Sequence, residues 1–162
     1  MKEQKPRGRN IILVSFIAAF ILTMMPLPEL LQSIRPEFVT IVLIYWCMAL
    51  PARVGVGIGW IAGLVLDVLT DSLLGQHALT LALIAYLAIK LHQRIRVFPL
   101  WQQALTIFVL MSFQATIVLW IRGMLGQAPS LLMFMLPAIS TAIFWPVGFL
   151  LMRQVRRYYQ VN

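Results

Sequence analysis

GVGIGWIAGLVLDVLTD, residues 55–71, repeats one residue type at every fourth position of an otherwise apolar run. Gly55, Gly59 and Gly63 are followed at the same spacing by Asp67 and Asp71. Residues four apart lie nearly above one another on an α-helix, so the stretch predicts a helix with a row of missing side chains that leads to two carboxylates. Because small residues allow helices to approach closely in lipid, we predict that the three glycines form a packing surface for a helix of a partner or of a second copy.

The composition is that of an integral membrane protein. Of the 162 residues, 61% are hydrophobic and only 11% are charged, whereas soluble domains carry about 25% charged residues. The mean hydropathy is +0.89. The apolar runs have the length of helices and lack the alternation of a membrane β-barrel. We therefore predict an all-α polytopic membrane bundle, folded as a single integral membrane domain over residues 1–162.

Charged residues, prolines and glycines divide the chain into six apolar segments with short connections. We predict six transmembrane helices, at residues 11–25, 36–50, 54–70, 76–91, 103–121 and 131–152. The second segment is short, because its apolar residues 38–50 span only about 20 Å of a hydrocarbon core of about 30 Å. It must borrow flanking residues, thin the bilayer or be sheltered by protein. Pro137 and Pro146 predict a bend or an interruption in the last helix.

The basic residues set the predicted orientation, because basic residues are enriched on the cytoplasmic side of membrane proteins. With the N-terminus in the cytoplasm, eleven of the thirteen basic residues fall on the cytoplasmic side, and only Arg35 and Arg122 fall on the outer side. This distribution requires an even number of helices and predicts that both termini are cytoplasmic. The residues assigned to the cytoplasmic side are Lys2, Lys5, Arg7, Arg9, Arg53, Lys90, Arg94, Arg96, Arg153, Arg156 and Arg157.

Asp67 needs a specific explanation, because an acid within a membrane span costs about 3 kcal/mol on insertion scales. It is predicted in the outer half of its helix, with Asp71 nearer the interface. Three roles stay open: a helix-packing ion pair, a proton or ion site, and a polar contact for a ligand or partner. Arg35 and Arg122 are the candidate ion-pair partners of Asp71. No metal-ligand spacing or catalytic constellation accompanies these residues, so we predict no metal, no cofactor and no enzymatic activity.

Two cytoplasmic segments mix basic and apolar residues and are candidate contact surfaces. The first contains Arg94, Arg96 and Trp101, and the second contains Arg156 and Arg157. They are expected to lie on anionic membrane lipid or to dock a cytoplasmic partner. The net charge of +8 does not indicate binding to nucleic acid, because the basic residues are spread over four segments with no basic domain behind them.

Four stretches resemble the bacterial rod shape-determining protein family MreD. They are RPEF at 35–38, YWCMALPARVGVGIGWIAGLVLDVLTDSLLGQHALTLALIAYLA at 45–88, LWQQAL at 100–105 and FWPVGFLLMRQVRR at 144–157. The most specific part is the run G-x-x-x-G-x-x-x-D. Asp71 departs from the family pattern, in which a small residue such as glycine is expected. The residues that fall on recurring family positions are Gly59, Gly63, Asp67, Leu74, Gly75, Arg35 and Pro36.

The resemblance implies a non-enzymatic, six-span component of the bacterial inner membrane that belongs to the machinery for elongating the lateral cell wall. It implies MreC as a partner, and MreB, the RodA polymerase and its penicillin-binding transpeptidase as further partners. The chain would then be a scaffold for peptidoglycan synthesis and rod shape. Its glycine row would press against a helix of MreC, or against a second copy through self-association.

The alternative is a small-molecule-binding membrane subunit. In span count and size the chain also resembles the substrate-binding components of energy-coupling-factor vitamin transporters, which is an analogy at the level of the fold. A ligand would then occupy a polar pocket near Asp67, beneath the bent sixth helix. The acid in a glycine-rich helix favours this function, and the shortage of other convergent polar groups opposes it.

Overall fold

The chain folds into a bundle of α-helices. The structure, a computed structural model, describes residues 7–127 and 129–161, and these residues include no strand. The all-α prediction is therefore confirmed for the described part of the chain. Its seven helices are α1 (Arg7–Met24), α2 (Glu29–Gln32), α3 (Phe38–Ala49), α4 (Val56–Leu69), α5 (Gln76–Ile95), α6 (Leu100–Met124) and α7 (Leu131–Tyr158).

Each of the six predicted segments corresponds to one helix of at least 12 residues, and the single turn α2 is the additional element. Three helices, α5, α6 and α7, are long and apolar enough to cross a membrane. The apolar helices α1, α3 and α4 are shorter. The long helices extend beyond the predicted bounds, and the added last turns hold basic residues, His92 and Arg94 in α5 and Arg156 and Arg157 in α7. Six crossings remain a prediction.

The short helix α3 lies at the centre of the bundle. It packs against α1, α5 and α7, and every residue from Val39 to Met48 is buried. At 12 residues it is only about 18 Å long, well below the hydrocarbon thickness of about 30 Å. The sequence left three ways to accommodate such a short segment: flanking residues, a thinner bilayer or cover by protein. The structure shows the last, since the other helices surround α3.

The helices α4 and α5 form the most closely packed pair in the bundle. They are joined by a short connection, residues 70–75, in which Asp71 has a φ of 51° and Gly75 a φ of 99°. Glycine adopts positive φ without the steric cost that a Cβ brings, so Gly75 suits the sharp turn into α5. The pair is antiparallel because the connection is too short for any other arrangement.

Both described ends of the chain lie at the same end of the bundle. A Cβ added to Gly8 would lie 2.8 Å from a guanidinium nitrogen of Arg53 and 3.1 Å from Val161 Cγ1. The start of α1, the connection between α3 and α4 and the C-terminal segment therefore meet. The predicted cytoplasmic residues Lys2 and Lys5 lie outside the described residues.

The last helix runs without a break through both of its prolines. Helix α7 spans 28 residues and contains Pro137 and Pro146. Of the predicted bend or interruption, the interruption is therefore wrong, and the bend stays a prediction. Each proline removes one backbone donor from a long helix, and the flanking turns stay helical. Packing against α6 and α3 supports the helix on two sides.

Candidate functional site

The carboxylate of Asp67 is buried, with 1% of the residue exposed, and it accepts a full set of hydrogen bonds. Asp67 Oδ1 accepts from Ser72 Oγ at 2.8 Å, from the His77 amide at 2.9 Å and from His77 Nδ1 at 2.8 Å. Asp67 Oδ2 accepts from the amides of Gly75 at 2.8 Å and Ala78 at 3.3 Å. These five bonds compensate for the desolvation of a buried carboxylate.

This set of contacts caps the N-terminus of α5. The first amides of a helix have no partner within the helix and carry the positive end of its dipole. The N-cap residue is Gly75, which makes no side-chain cap, so the carboxylate of Asp67 on α4 supplies the acceptor instead. Among the roles left open for Asp67, these contacts favour a structural one, because its carboxylate joins α4 to the start of α5.

Asp67, Ser72 and His77 do not form a nucleophilic triad, although all three side chains are in contact. Ser72 Oγ and Asp67 Oδ1 both approach the same ring nitrogen of His77, Nδ1, at 3.1 and 2.8 Å. A relay needs the acid and the nucleophile on opposite ring nitrogens. Residues 7–127 and 129–161 contain no group of three His, Cys, Asp or Glu side chains placed to hold a metal ion.

The glycine row packs within the chain, which corrects the prediction that Gly59 and Gly63 contact a partner helix. A Cβ on Gly59 would lie 2.8 Å from the Leu81 carbonyl oxygen. A Cβ on Gly63 would overlap the backbone of His77 and Ala78. Helix α5 already occupies this surface, because the short connection returns it directly onto α4.

Gly55 stands apart from the other two glycines. It is the N-cap residue of α4, and among the described residues a Cβ added there would meet nothing within 4 Å. Helix α5 therefore packs on Gly59 and Gly63 but not on Gly55. A contact of Gly55 with another chain stays a prediction.

The predicted ion pair of Asp71 with Arg35 or Arg122 is wrong. Asp71 is exposed in the turn after α4. Arg35 donates instead to the carbonyl oxygens of Thr23 and Met25 at the end of α1. Arg122 lies over the ring of Phe134, 5.3 Å from its centroid. In the described ranges the only contact between an acidic side chain and a basic or histidine side chain is that of Asp67 with His77, at 2.8 Å.

A small polar cavity lies beside this network, in the region where the alternative function places a polar pocket. It has a volume of about 160 Å³ and is lined by Glu37, Gln76, His77, Gln114 and Arg122, among others. Glu37 Oε2 accepts from Gln114 Nε2 at 2.8 Å, across 77 positions of sequence. No local pattern could have revealed such a pair.

Two amide atoms in this cavity have no protein partner. Gln76 Nε2 and Gln114 Oε1 are buried and make no hydrogen bond. The space has room for a few water molecules at about 30 Å³ each, which would supply the partners. It is smaller than the 300–1,000 Å³ typical of ligand pockets. Asp67 does not line it, so the alternative of a ligand site at Asp67 has no support.

A long apolar groove runs between α1 and α7, with α3 as its floor. It has a volume of about 680 Å³. Val14 and Ala18 of α1 face it from one side, Val147 and Leu151 of α7 from the other, and Val42 lies beneath. The groove extends from Asn10 and Tyr159 at one end to Leu22 and Phe38 at the other. We call it the α1–α7 groove.

Two of the predicted cytoplasmic contact residues come together. Arg96, which follows α5, and Arg156 of α7 line one pocket of about 340 Å³ with Arg153. Arg94, Trp101 and Arg157 do not line it. Arg153 precedes Arg156 and Arg157 in the second predicted contact segment, and its spacing of three from Arg156 places both on one side of α7.

The helical fold, the apolar surface and the buried capping carboxylate define a membrane protein built around interhelical packing. The family model for rod shape-determining protein MreD matches residues 5–155. A curated rod shape-determining protein MreD from Haemophilus influenzae is 33% identical over 146 residues, covering 90% of each chain. No solved structure matches the chain.

The chain belongs to the MreD family, as the resemblance indicated. It is a membrane protein involved in rod shape determination.

Proposed function

We propose that this chain is a non-enzymatic, multi-pass scaffold of the bacterial inner membrane. It would serve the wall elongation machinery by docking a membrane helix of MreC in the α1–α7 groove. The observation that carries the proposal is the groove itself. Its residues 10–22 of α1 extend for about 18 Å along the helix, so the groove matches the side of a helix rather than a compact ligand.

The chemistry of the groove suits a helix. Its lining includes the small residues Ala18, Ala19 and Gly148, and small residues favour close helix packing in lipid. The one hydroxyl in its middle, Ser15, is already paired, since it donates to the Ile12 carbonyl at 2.6 Å and accepts from Trp46 Nε1 at 2.8 Å. A partner helix therefore needs only apolar side chains to fill the groove.

The position of the chain ends supports the proposed topology. The start of α1 and the C-terminal segment share one end of the bundle, as an even number of crossings requires. Eleven of thirteen basic residues were assigned to that side, and the positive-inside rule then favours a cytoplasmic location for it. Six transmembrane helices with both termini in the cytoplasm are the topology that we propose.

The remaining partners are proposed on the family resemblance. MreB would approach the cytoplasmic side, where Arg94 and Arg157 are exposed. RodA and the penicillin-binding transpeptidase would join through the membrane-embedded surface. Self-association is proposed at Gly55, where an added Cβ would meet no atom of the described residues within 4 Å.

The direct test is a pull-down of the tagged chain from native membranes of a rod-shaped host that depends on it. We expect MreC to co-purify while the tagged chain maintains rod shape. Rods without any recovery of MreC would refute the proposed docking. Recovery of an ATPase module without shape rescue would refute the scaffold function as a whole.

A large side chain in the α1–α7 groove is expected to prevent the binding of MreC. The substitution Ala18→Trp places a large ring in the α1–α7 groove, at a position that is exposed in the chain alone. Recovery of MreC should fall at least about tenfold, or ~1.4 kcal/mol of binding free energy. The quantity to measure is the ratio of MreC to the tagged chain in the pull-down.

The matched control is Leu13→Trp. Leu13 lies on the same helix and is 61% exposed, but it does not line the groove. This variant should retain MreC. An equal loss in both variants would indicate a general defect of α1 and would count against the groove.

A further inference from the structure

Three arginines surround a pocket at the end of the bundle opposite the Asp67 network. Arg96 follows α5, and Arg153 and Arg156 belong to the last part of α7. The pocket has a volume of about 340 Å³ and also contains Tyr45, Met48, Ala49 and Phe149. We call it the arginine pocket. It joins a positively charged rim to an apolar floor formed by α3 and α7.

The described part of the chain supplies no carboxylate to these arginines. Asp67 and Asp71 lie at the start of α5, whereas Arg96 follows its end, and the 20 residues of α5 separate them by about 30 Å. Glu37 lies at the start of α3, and Tyr45 and Met48 lie in its second half. Glu29 precedes α3 in the turn α2. Each described acid therefore belongs to the other end of the bundle.

The arginine donors are also largely free of partners within the described residues. Arg156 Nε donates to the Val161 carbonyl oxygen at 3.2 Å, and its guanidinium also lies beside the Tyr45 hydroxyl, so the side chain is held near the C-terminal segment and α3. Arg96 and Arg153 are exposed, and neither has a hydrogen bond to another side chain. Three positive charges at one pocket repel one another unless an anion lies between them.

We propose that the arginine pocket binds the phosphate group of an anionic phospholipid. Guanidinium groups offer paired donors that match the oxygen atoms of phosphate. Basic pockets between membrane helices on the cytoplasmic side bind anionic headgroups. The floor of Met48 and Phe149 gives the first part of an acyl chain an apolar surface, which a free phosphate ion would not use.

The site couples three parts of the chain that are far apart in sequence. Arg96 precedes α6, Tyr45 belongs to the central helix, and Arg153 lies on α7. A lipid held there would tie the end of α5 to α7 on the basic side of the bundle. Asp67 performs the corresponding task on the other side, where it ties α4 to α5.

The test uses the full chain in a neutral detergent, with retained lipid measured by native mass spectrometry. Phosphatidylglycerol and cardiolipin are added in separate samples, with phosphatidylcholine as the zwitterionic lipid. We expect retention of the two anionic lipids and little retention of phosphatidylcholine. Equal retention of all three lipids would overturn the proposal, because the arginines would then select no charge.

A pair of double variants separates the pocket from general surface charge. Arg96→Gln with Arg153→Gln removes two pocket arginines, and Arg94→Gln with Arg157→Gln removes two nearby arginines outside the pocket. The pocket variant should retain at least about tenfold less anionic lipid, and the control should keep most of it. An equal loss in the two variants would overturn the proposal. The melting temperatures of both double variants, measured without added lipid, are the control for folding.

A competition experiment distinguishes binding of a phospholipid from binding of a free phosphate ion. Inorganic phosphate is titrated into the sample that holds phosphatidylglycerol. We expect the lipid to stay bound at millimolar phosphate, because the apolar floor contributes to its binding. Displacement of the lipid at low phosphate concentration would assign the pocket to a soluble anion and would refute the phospholipid as its occupant.

Discussion

The substitution Asp67→Asn is expected to destabilise the chain by roughly 3–5 kcal/mol, because it breaks a buried, charged hydrogen-bond network. The carboxylate accepts five bonds from Ser72, Gly75, His77 and Ala78. An asparagine keeps one acceptor oxygen and turns an NH₂ group towards donors. The amides at the start of α5 would then lack partners away from water. The loss is measured by unfolding the purified protein in mixed micelles of neutral detergent and SDS.

The control is Asp71→Asn, four positions further along the same row. Asp71 is exposed and has a φ of 51°, a conformation that asparagine adopts readily. We expect a change within about 0.5 kcal/mol. If both variants lost the same stability, the cap on α5 could not be the role of Asp67.

The substitution Gly63→Ala is expected to cost roughly 3 kcal/mol through overpacking. The new Cβ would overlap the backbone of His77 and Ala78, and backbone atoms cannot move aside as a flexible side chain can. Helix α4 would have to shift away from α5, which also moves Asp67 from the amides that it caps. The quantity to measure is again the free energy of unfolding in mixed micelles.

Gly57→Ala is the matched control, because Gly57 lies in α4 but a Cβ there would meet no atom of the described residues within 4 Å. Alanine favours a helix over glycine by about 1 kcal/mol, so this variant should be as stable as the parent or more stable. The two substitutions are chemically identical, and we expect a loss of stability for Gly63→Ala and no loss for Gly57→Ala. Equal effects would show that α4 and α5 do not pack as closely as described.

The losses of stability expected for Gly63→Ala and Asp67→Asn should not be additive. Gly63 and Asp67 are one helical turn apart and act on the same segment of α5. Once the Cβ at position 63 has moved α4 away, the cap is already weakened. The double variant should therefore lose less stability than the sum of the single losses, with a coupling of about 1 kcal/mol or more.

The helices were predictable because their signal is local. Apolar length, prolines and basic residues mark the segments, and the structure places a helix in each. Pro51 illustrates this: it follows the end of α3 at Ala49 by two residues, as expected of a residue that cannot continue a helix. The sequence also predicted that Gly59 and Gly63 mark a close helix contact.

The identity of the contacting helix was not predictable from the same row. A row of glycines has the same pattern whether α5 of the same chain or a helix of another chain fills it. One signal was overlooked: Gly75 opens α5 without a capping side chain, so an acceptor had to come from elsewhere, and Asp67 is the nearest buried carboxylate. The pair of Glu37 and Gln114 left no such signal, since it joins α3 to α6 through tertiary packing alone.

The enclosed position of α3 sets an order for the insertion of the nascent chain. The Ile34 carbonyl accepts a bond from Ser140 and the Glu37 amide donates one to Thr141, across 106 and 104 positions of sequence. During synthesis these groups have no partner until α7 has been made. Helix α3 is also too short to span the bilayer alone. Helix α7 leaves the ribosome after α3 and then packs against it, so a chain truncated before α7 would leave this side of α3 exposed.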